Sequence, residues 1–305
     1  MSSYELSTPQ IHKNIAIVPI TTPVNHKIDL LTLKKGFELE LVDVKECEHS
    51  TVNTIIVENK SVVPLLLVDG EEIVGGDQNR IIDTTILIAP QSKMEVPVDC
   101  TEHGRWGFKS NFEQSEHIAN FSTRLAKKHA SRNNESVQQA VWDSIDELEM
   151  SRSFSSPTQA MSESYENAKA DLNEFLDEFK AAEGQSGVAV LIDGAMKGFE
   201  VFLNSEIYKE YHEKIIKSYL INAEINDTLF TVDADAIRSQ IDDALSEDFE
   251  EAKNEGLETR LEFKSEYGIG SCYTYKDELI HLSYLVGSVG SDSPEKKKIY
   301  DDVRI

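Results

Sequence analysis

VVPLLLVDGEEIVGGDQNRIIDTTILIAPQSKMEVPVDCTEHGRW, residues Val62–Trp106, is the stretch on which the reading of this chain turns. Ile81–Ala89 and Met94–Cys100 are rich in β-branched residues and joined by Pro-Gln-Ser, so they read as two strands around a turn. Val62–Val68 is apolar without alternation, as a strand covered on both faces would be. Asp69-Gly70 fits a tight hairpin turn, and Gly75-Gly76 frees the backbone just ahead of Asp77. Ionisable and planar side chains crowd two places along these strands: Glu71, Asp77, Gln78, Asn79 and Arg80 at one, Cys100, Glu102, His103, Arg105 and Trp106 at the other. Strand pairing would bring the two groups into one neighbourhood. Polar groups beside a buried sheet cost stability, so a site is sought there first.

Working outward, NIAIVPITTP (14–23) is a strand that its prolines confine to an edge or a strand start. Phe37–Val44 alternates with period two, and Asn53–Val57 is another short β-prone run. The expected fold is α+β: a flexible N-terminus (1–13), then an antiparallel β-sandwich-like unit (14–108), followed by amphipathic helices and a small β element. Residues 109–161 read as a loop and helix connection, with at most one helix in Ser110–Ser136, around Ala119–His129. Val137, Val141, Ile145 and Leu148 then share one helical face. Residues 162–286 read as an α+β unit packed on the first. It has a helix capped by Ser162, a hairpin over Gly187–Leu203 with a loop longer than two residues, a helix capped by Ser205 and a helix from Asp233 toward Gly256. Two final strands follow, the second with a turn at Lys276-Asp277, and 287–305 is a charged tail.

The 305 residues, 40% of them hydrophobic, suffice for a proper core. A formal charge of -25 and a pI near 4.7 argue against nonspecific binding to nucleic acid or anionic membrane, although a local basic pocket is compatible with them. MSSYELSTPQ lacks the basic start and apolar core of a signal peptide, and no run approaches the ~20 apolar residues of a membrane span, so a cytoplasmic protein is expected. Three widely spaced cysteines, Cys47, Cys100 and Cys272, imply reduced thiols rather than a disulfide framework or a zinc ribbon.

Period-two geometry places Val96, Val98, Cys100 and Glu102 on one strand face and Asp99 and Thr101 on the other. Cys100 then reads as a packed thiol, and the nucleophile reading needs a cation or base that His103, on the opposite pleat, is poorly placed to be. Arg80, Arg105 and Trp106 could grip an oxyanion and stack on a base; the same arginines beside Glu71, Asp77 and Glu102 could equally form an ion-pair network locking the hairpins. Glu71, Asp77, Glu102, His103 and His281 would supply an Mg or Mn site if the fold gathered them, yet no pair has a diagnostic spacing. In LIHL, His281 reads more simply as a hydrogen-bonded core histidine.

VPLLLVDGEEIVGGDQNRI with VPVDCTEHGRW, and later GVAVLIDG, GFEVF and LIHL, resemble the family of ADP-ribosylglycohydrolase and rhodanese-phosphatase associated proteins over most of residues 14–285. The motif positions are Glu71, Gly75, Gly76, Gln78, Arg80, Cys100, Glu102, Gly104, Arg105 and Trp106. The resemblance implies recognition or processing of an ADP-ribose-like ligand from NAD metabolism. The leading expectation is therefore a binding module for a nucleotide-type anion. In it Arg80 and Arg105 hold the pyrophosphate on the Gly75-Gly76 loop, Trp106 stacks, and Glu71, Glu102 and Asn79 take ribose hydroxyls. The alternatives are a hydrolase with Glu102 or Glu71 as general base, with or without a divalent ion, and an acidic scaffold that meets a basic protein.

Overall fold

The computed structural model describes residues 3–23, 27–47 and 53–287. It is an α+β fold whose N-terminal sandwich is built from two sheets. Ile86–Ile88, Leu65–Leu67 and Leu31–Thr32 form the smaller; Glu113–Ile118, Glu71–Val74, Arg80–Ile82, Ser92–Cys100, Thr54–Asn59 and Val42–Glu46, in that order, form the larger. Their facing side chains, among them Leu65, Leu67, Ile86, Ile88, Val57, Ile82, Val96 and Val98, make one core cluster.

Ile15–Thr21 does not join this sandwich. It pairs antiparallel with Gly187–Ile192, in a nine-stranded sheet that continues through Ala195–Phe202, Glu278–Val286, Gly268–Tyr275, Thr259–Lys264 and Glu250–Ala252. The small β element expected in the second half is thus part of a large sheet seeded by the first strand. Its alternating side chains feed two clusters. Ile15, Ile17, Val188 and Val190 face the helix Ser205–Leu220, and Ala16, Val18, Ala189 and Leu191 face the helix Ala234–Leu245 through Ile237 and Ile241. Each of the valine, leucine and isoleucine side chains among them contributes roughly 1.5–3 kcal/mol on full burial. Residues expected to hang loosely at the N-terminus are instead hydrogen-bonded to this strand as Glu5–Leu6 and Gln10–His12, and Pro19, which has no N–H to donate, falls between those two segments.

Several local expectations are corrected. Ile81–Ala89 is two strands, because the chain crosses between sheets at Asp83–Thr85, where Lys127 binds the carbonyls of Ile82 and Asp83. Asp69-Gly70 is not a hairpin turn, since the segments either side of it enter different sheets; Gly70 sits at φ 80° where a Cβ would lie 2.9 Å from Arg124 Cδ. The period-two run at Phe37–Val44 is a short helix, Leu33–Glu38, capped by Thr32, followed by the strand Val42–Glu46. Ser110–Ser136 holds the strand Glu113–Ile118 as well as the helix Phe121–Asn133. The helix Val137–Ser151 buries Val141, Ile145 and Leu148 as its spacing predicts. The next begins at Met161 with no side-chain cap and restarts after Ala168 as Lys169–Glu178. Asn204, not Ser205, caps the helix Ser205–Leu220; Asp233 caps Ala234–Leu245, which stops well short of Gly256. The Asp193-Gly194 loop has two residues with φ 53° and 77°, and the extra residue that suggested a longer loop is absorbed by a bulge opposite Val190/Leu191. Beyond Gly287 the charged tail lies outside the described residues. Among the described residues no helix is long and apolar enough to cross a membrane.

Candidate functional site

Strand pairing does bring the two motif blocks together: Cys100 lies opposite Arg80, and Asp99 opposite Ile81. The loops beyond them zip to one another through Gly76 N–H to Ser110 O (2.9 Å), Lys109 N–H to Gly76 O (3.0 Å) and Gly107 N–H to Asp77 O (3.3 Å). Glycine is required at position 76, where φ is 55° and a Cβ would stand 2.3 Å from Phe112 Cζ. Arg105 clamps the arrangement. Its Nη1 donates to Gly76 O (2.8 Å) and Gly107 O (3.1 Å), and its Nη2 to Gly75 O (3.2 Å), Asn79 Oδ1 (3.1 Å) and Glu102 Oε2 (2.5 Å).

Glu102 also accepts from Asn79 N–H (3.3 Å) and Thr158 Oγ1 (3.0 Å). Burial by itself would raise its carboxyl; the hydrogen bonds from Arg105 and Thr158 more than offset this and hold it below the ordinary carboxylate range. Arg80 is buried, with Nη1 donating to Gln78 Oε1 (3.0 Å) and Cys100 Sγ (2.9 Å) and Nη2 3.6 Å from Glu46. Gln78 in turn donates to Glu102 O (2.9 Å). Burial pushes the Cys100 thiol up to about 11 despite Arg80, so at neutral pH it is protonated and a poor nucleophile. The Nη donors of both guanidinium groups are therefore committed to protein acceptors, while the buried Nε of each has no hydrogen-bond partner among the described residues.

Around it, Asp77 is exposed, His103 is exposed and stacked on Trp142 at 4.2 Å, and Trp106 and Phe108 stand 66% and 70% exposed. The fold does not bring Glu71 or His281 here. Glu71 is fully buried against Lys214 Nζ (3.2 Å) and Tyr211 OH (3.0 Å) of the helix Ser205–Leu220. His281 Nδ1 is hydrogen-bonded to Thr85 Oγ1 (2.8 Å), and its Nε2 lies 3.5 Å from Glu200 in the large sheet. The Mg or Mn site conceived from Glu71, Asp77, Glu102, His103 and His281 is thus dispersed, and among the described residues no group of three or more His, Cys, Asp or Glu could hold a metal ion.

Lys214, the partner of Glu71, lines a groove of about 510 Å³ together with Lys34, Lys35 and Lys209 and with Glu116, Glu206, Glu210 and Glu213. Lys35 is paired with Glu210 at 2.5 Å, whereas among the described residues Lys34 and Lys209 make no ion pair. Sequence reasoning missed Lys214, whose position within the periodicity of an amphipathic helix gives no hint of a buried carboxylate beneath it. It also missed Glu72. Burial raises that carboxyl to about 7 against the opposing hydrogen bonds from Ser115 (2.7 Å) and Thr101 (3.3 Å).

Replacing Arg105 by Ala is expected to cost about 2–3 kcal/mol and to speed hydrogen exchange at the Gly76, Gly107 and Lys109 amides. Exchange at those amides as slow as in the parent protein would show that the guanidinium does not hold the loops.

The fold, the motif network and the groove together define a globular module with a charged ligand-sized depression. The chain belongs to the ARG and Rhodanese-Phosphatase-superfamily-associated Protein domain family, whose model matches residues 3–285. The name records association with the ADP-ribosylglycohydrolase and rhodanese-phosphatase superfamilies. Comparison with curated proteins and with solved structures returned no match.

Proposed function

We propose that this protein binds a nucleotide-type anion such as ADP-ribose in the groove lined by Lys214. The observation that carries this reading is a depression of about 510 Å³, within the size range of small-molecule sites, lined by four lysines and four glutamates, in which Lys34 and Lys209 have no ion-pair partner among the described residues. In this reading Lys34 and Lys209 meet the pyrophosphate, and Glu116, Glu206 and Glu213 accept from ribose hydroxyls. Lys214, bonded to the buried Glu71, lines the same groove. The family's association with ADP-ribose enzymes supports the ligand class.

Binding is favoured over hydrolysis because both carboxylates proposed as general base are occupied: Glu102 by Arg105 and Thr158, Glu71 by Lys214 and Tyr211. Calorimetry with ADP-ribose, AMP and NAD is expected to show saturable heat, and a Lys34→Gln/Lys209→Gln double variant to bind at least about tenfold more weakly. Trp106→Ala separates the two candidate surfaces: unchanged affinity places the ligand in the groove, and a comparable loss places it on the loop fastened by Arg105. No heat with any of the three ligands would remove the reading.

A further inference from the structure

A second polar cavity lies between the helix Phe121–Asn133, the strands Thr259–Lys264 and Gly268–Tyr275, and the crossing at Asp83–Thr84. Its charges are arranged in two layers. In the inner layer Lys127 is shared by Asp69 (3.4 Å), Asp83 (3.5 Å) and Asp99 (3.5 Å), and Lys128 bonds Asp69 (3.0 Å) and the Ser271 hydroxyl (2.9 Å). Three carboxylates share two ammonium groups there.

The outer layer is short of acceptors. Glu262 is already bonded to Arg260, the buried Nε of Arg260 has no hydrogen-bond partner among the described residues, and Arg132 lies 3.9 Å from both Glu250 and Glu262, beyond hydrogen-bond reach. Lys128 uses two of its three ammonium protons in the contacts given above. Donors from two guanidinium groups and one ammonium are thus left for a volume of about 30 Å³, room for about two waters or one compact oxyanion. The buried Arg260 Nε without an acceptor is costly, and a guanidinium fork matches a tetrahedral oxyanion better than it matches water.

We infer that this cavity is a binding site for a tetrahedral oxyanion, free phosphate or the terminal phosphate of a monoester, held by Arg132, Arg260 and Lys128. The site is separate from the groove and does not rest on the nucleotide reading. Because its ligands come from a helix and from the large sheet, occupancy stitches the two together, and the bound anion raises the stability of the folded chain by mass action.

The test uses the full chain at neutral pH, with thermal unfolding and calorimetry against sodium phosphate, against ribose 5-phosphate, and against sodium chloride at matched ionic strength. Saturable binding of phosphate or of the monoester, with a rise in Tm that chloride does not reproduce, is expected. Tighter binding of ribose 5-phosphate assigns the site to a monoester; equal or weaker binding assigns it to the free anion. Arg132→Gln and Arg260→Gln are each expected to weaken binding at least about tenfold. Arg132→Lys, which keeps the charge and the fold but loses the fork, should weaken it by a smaller factor. Lys169→Gln, at an exposed helix position outside both cavities, should leave it unchanged. A Tm response equal to that of chloride, undiminished affinity in both arginine variants, or a comparable loss in Lys169→Gln would overturn the assignment.

Discussion

Arg124→Ala is expected to destabilise the protein by about 3–5 kcal/mol at neutral pH, the largest effect of any single substitution considered for this molecule. Arg124 and Glu200 are both fully buried. The guanidinium donates to Glu200 Oε1 (2.8 Å) and to Ser218 Oγ (3.1 Å), and Tyr219 OH donates to the same carboxylate (3.3 Å). Removing Arg124 leaves an ionised carboxylate inside the protein without its cation. Burial alone would raise the Glu200 carboxyl, but Arg124 and His281 more than reverse this and bring it to about 2. A carboxylate depressed below its unfolded value near 4.5 contributes stability that is present above that value and lost as pH falls through 4.5 toward 2. Without Arg124 that contribution becomes a penalty at neutral pH, which protonation of Glu200 relieves, so the deficit should shrink in acid. Urea unfolding at pH 7 and pH 4.5 measures both parts. Pairing Arg124→Met with Glu200→Gln should recover much of the loss, because no buried charge is then left alone. A deficit below about 1 kcal/mol in Arg124→Ala would mean that the contact is not what joins the helix Phe121–Asn133 to the large sheet.

Glu72→Gln should act in the opposite direction. With the folded-state carboxyl raised to about 7, the folded protein holds this proton more tightly than the unfolded chain does. Stability therefore falls as pH rises from about 4.5 to about 7, and above that range the protein carries the full cost of an ionised carboxylate enclosed with Ser115 and Thr101. Glutamine keeps the shape and can still bond both hydroxyls. The variant is expected to gain about 3 kcal/mol at pH 8 and almost nothing at pH 4.5. Asp99, raised by burial to about 6, has the same sign and is present in both proteins, so the difference between them isolates Glu72. A gain independent of pH would show that Glu72 does not carry the proton.

Much of the sandwich was legible because its strands are β-branched runs whose buried faces repeat with period two, as Val96, Val98 and Cys100 do. The helix Val137–Ser151 was legible because its inward face is apolar. The helix Phe121–Asn133 was hard to see because its inward face is Thr123, Arg124, Lys127 and Ala130, a stripe that apolar periodicity cannot report. The reading of Ser110–Ser136 as a loop with at most one helix around Ala119–His129 nevertheless placed it. For the candidate site, the sequence correctly joined Asn79, Arg80, Cys100, Glu102 and Arg105 by strand pairing. It could not foresee that both arginines would be consumed by backbone carbonyls and neighbouring side chains.

By itself the amino-acid order determined the α+β class, the pairing of the Gly75–Arg80 and Cys100–Arg105 blocks, and membership of the ARG and Rhodanese-Phosphatase-superfamily-associated family. Those depend on local periodicity and on short-range motifs. Tertiary structure alone decided that Ile15–Thr21 would pair with Gly187–Ile192, that Glu71 would meet Lys214 and Glu200 would meet Arg124, and where open space would remain. Glu71 and Glu200 are buried where distant segments deliver their counter-charges, and the identity of those segments is a property of the packed chain rather than of any stretch of it.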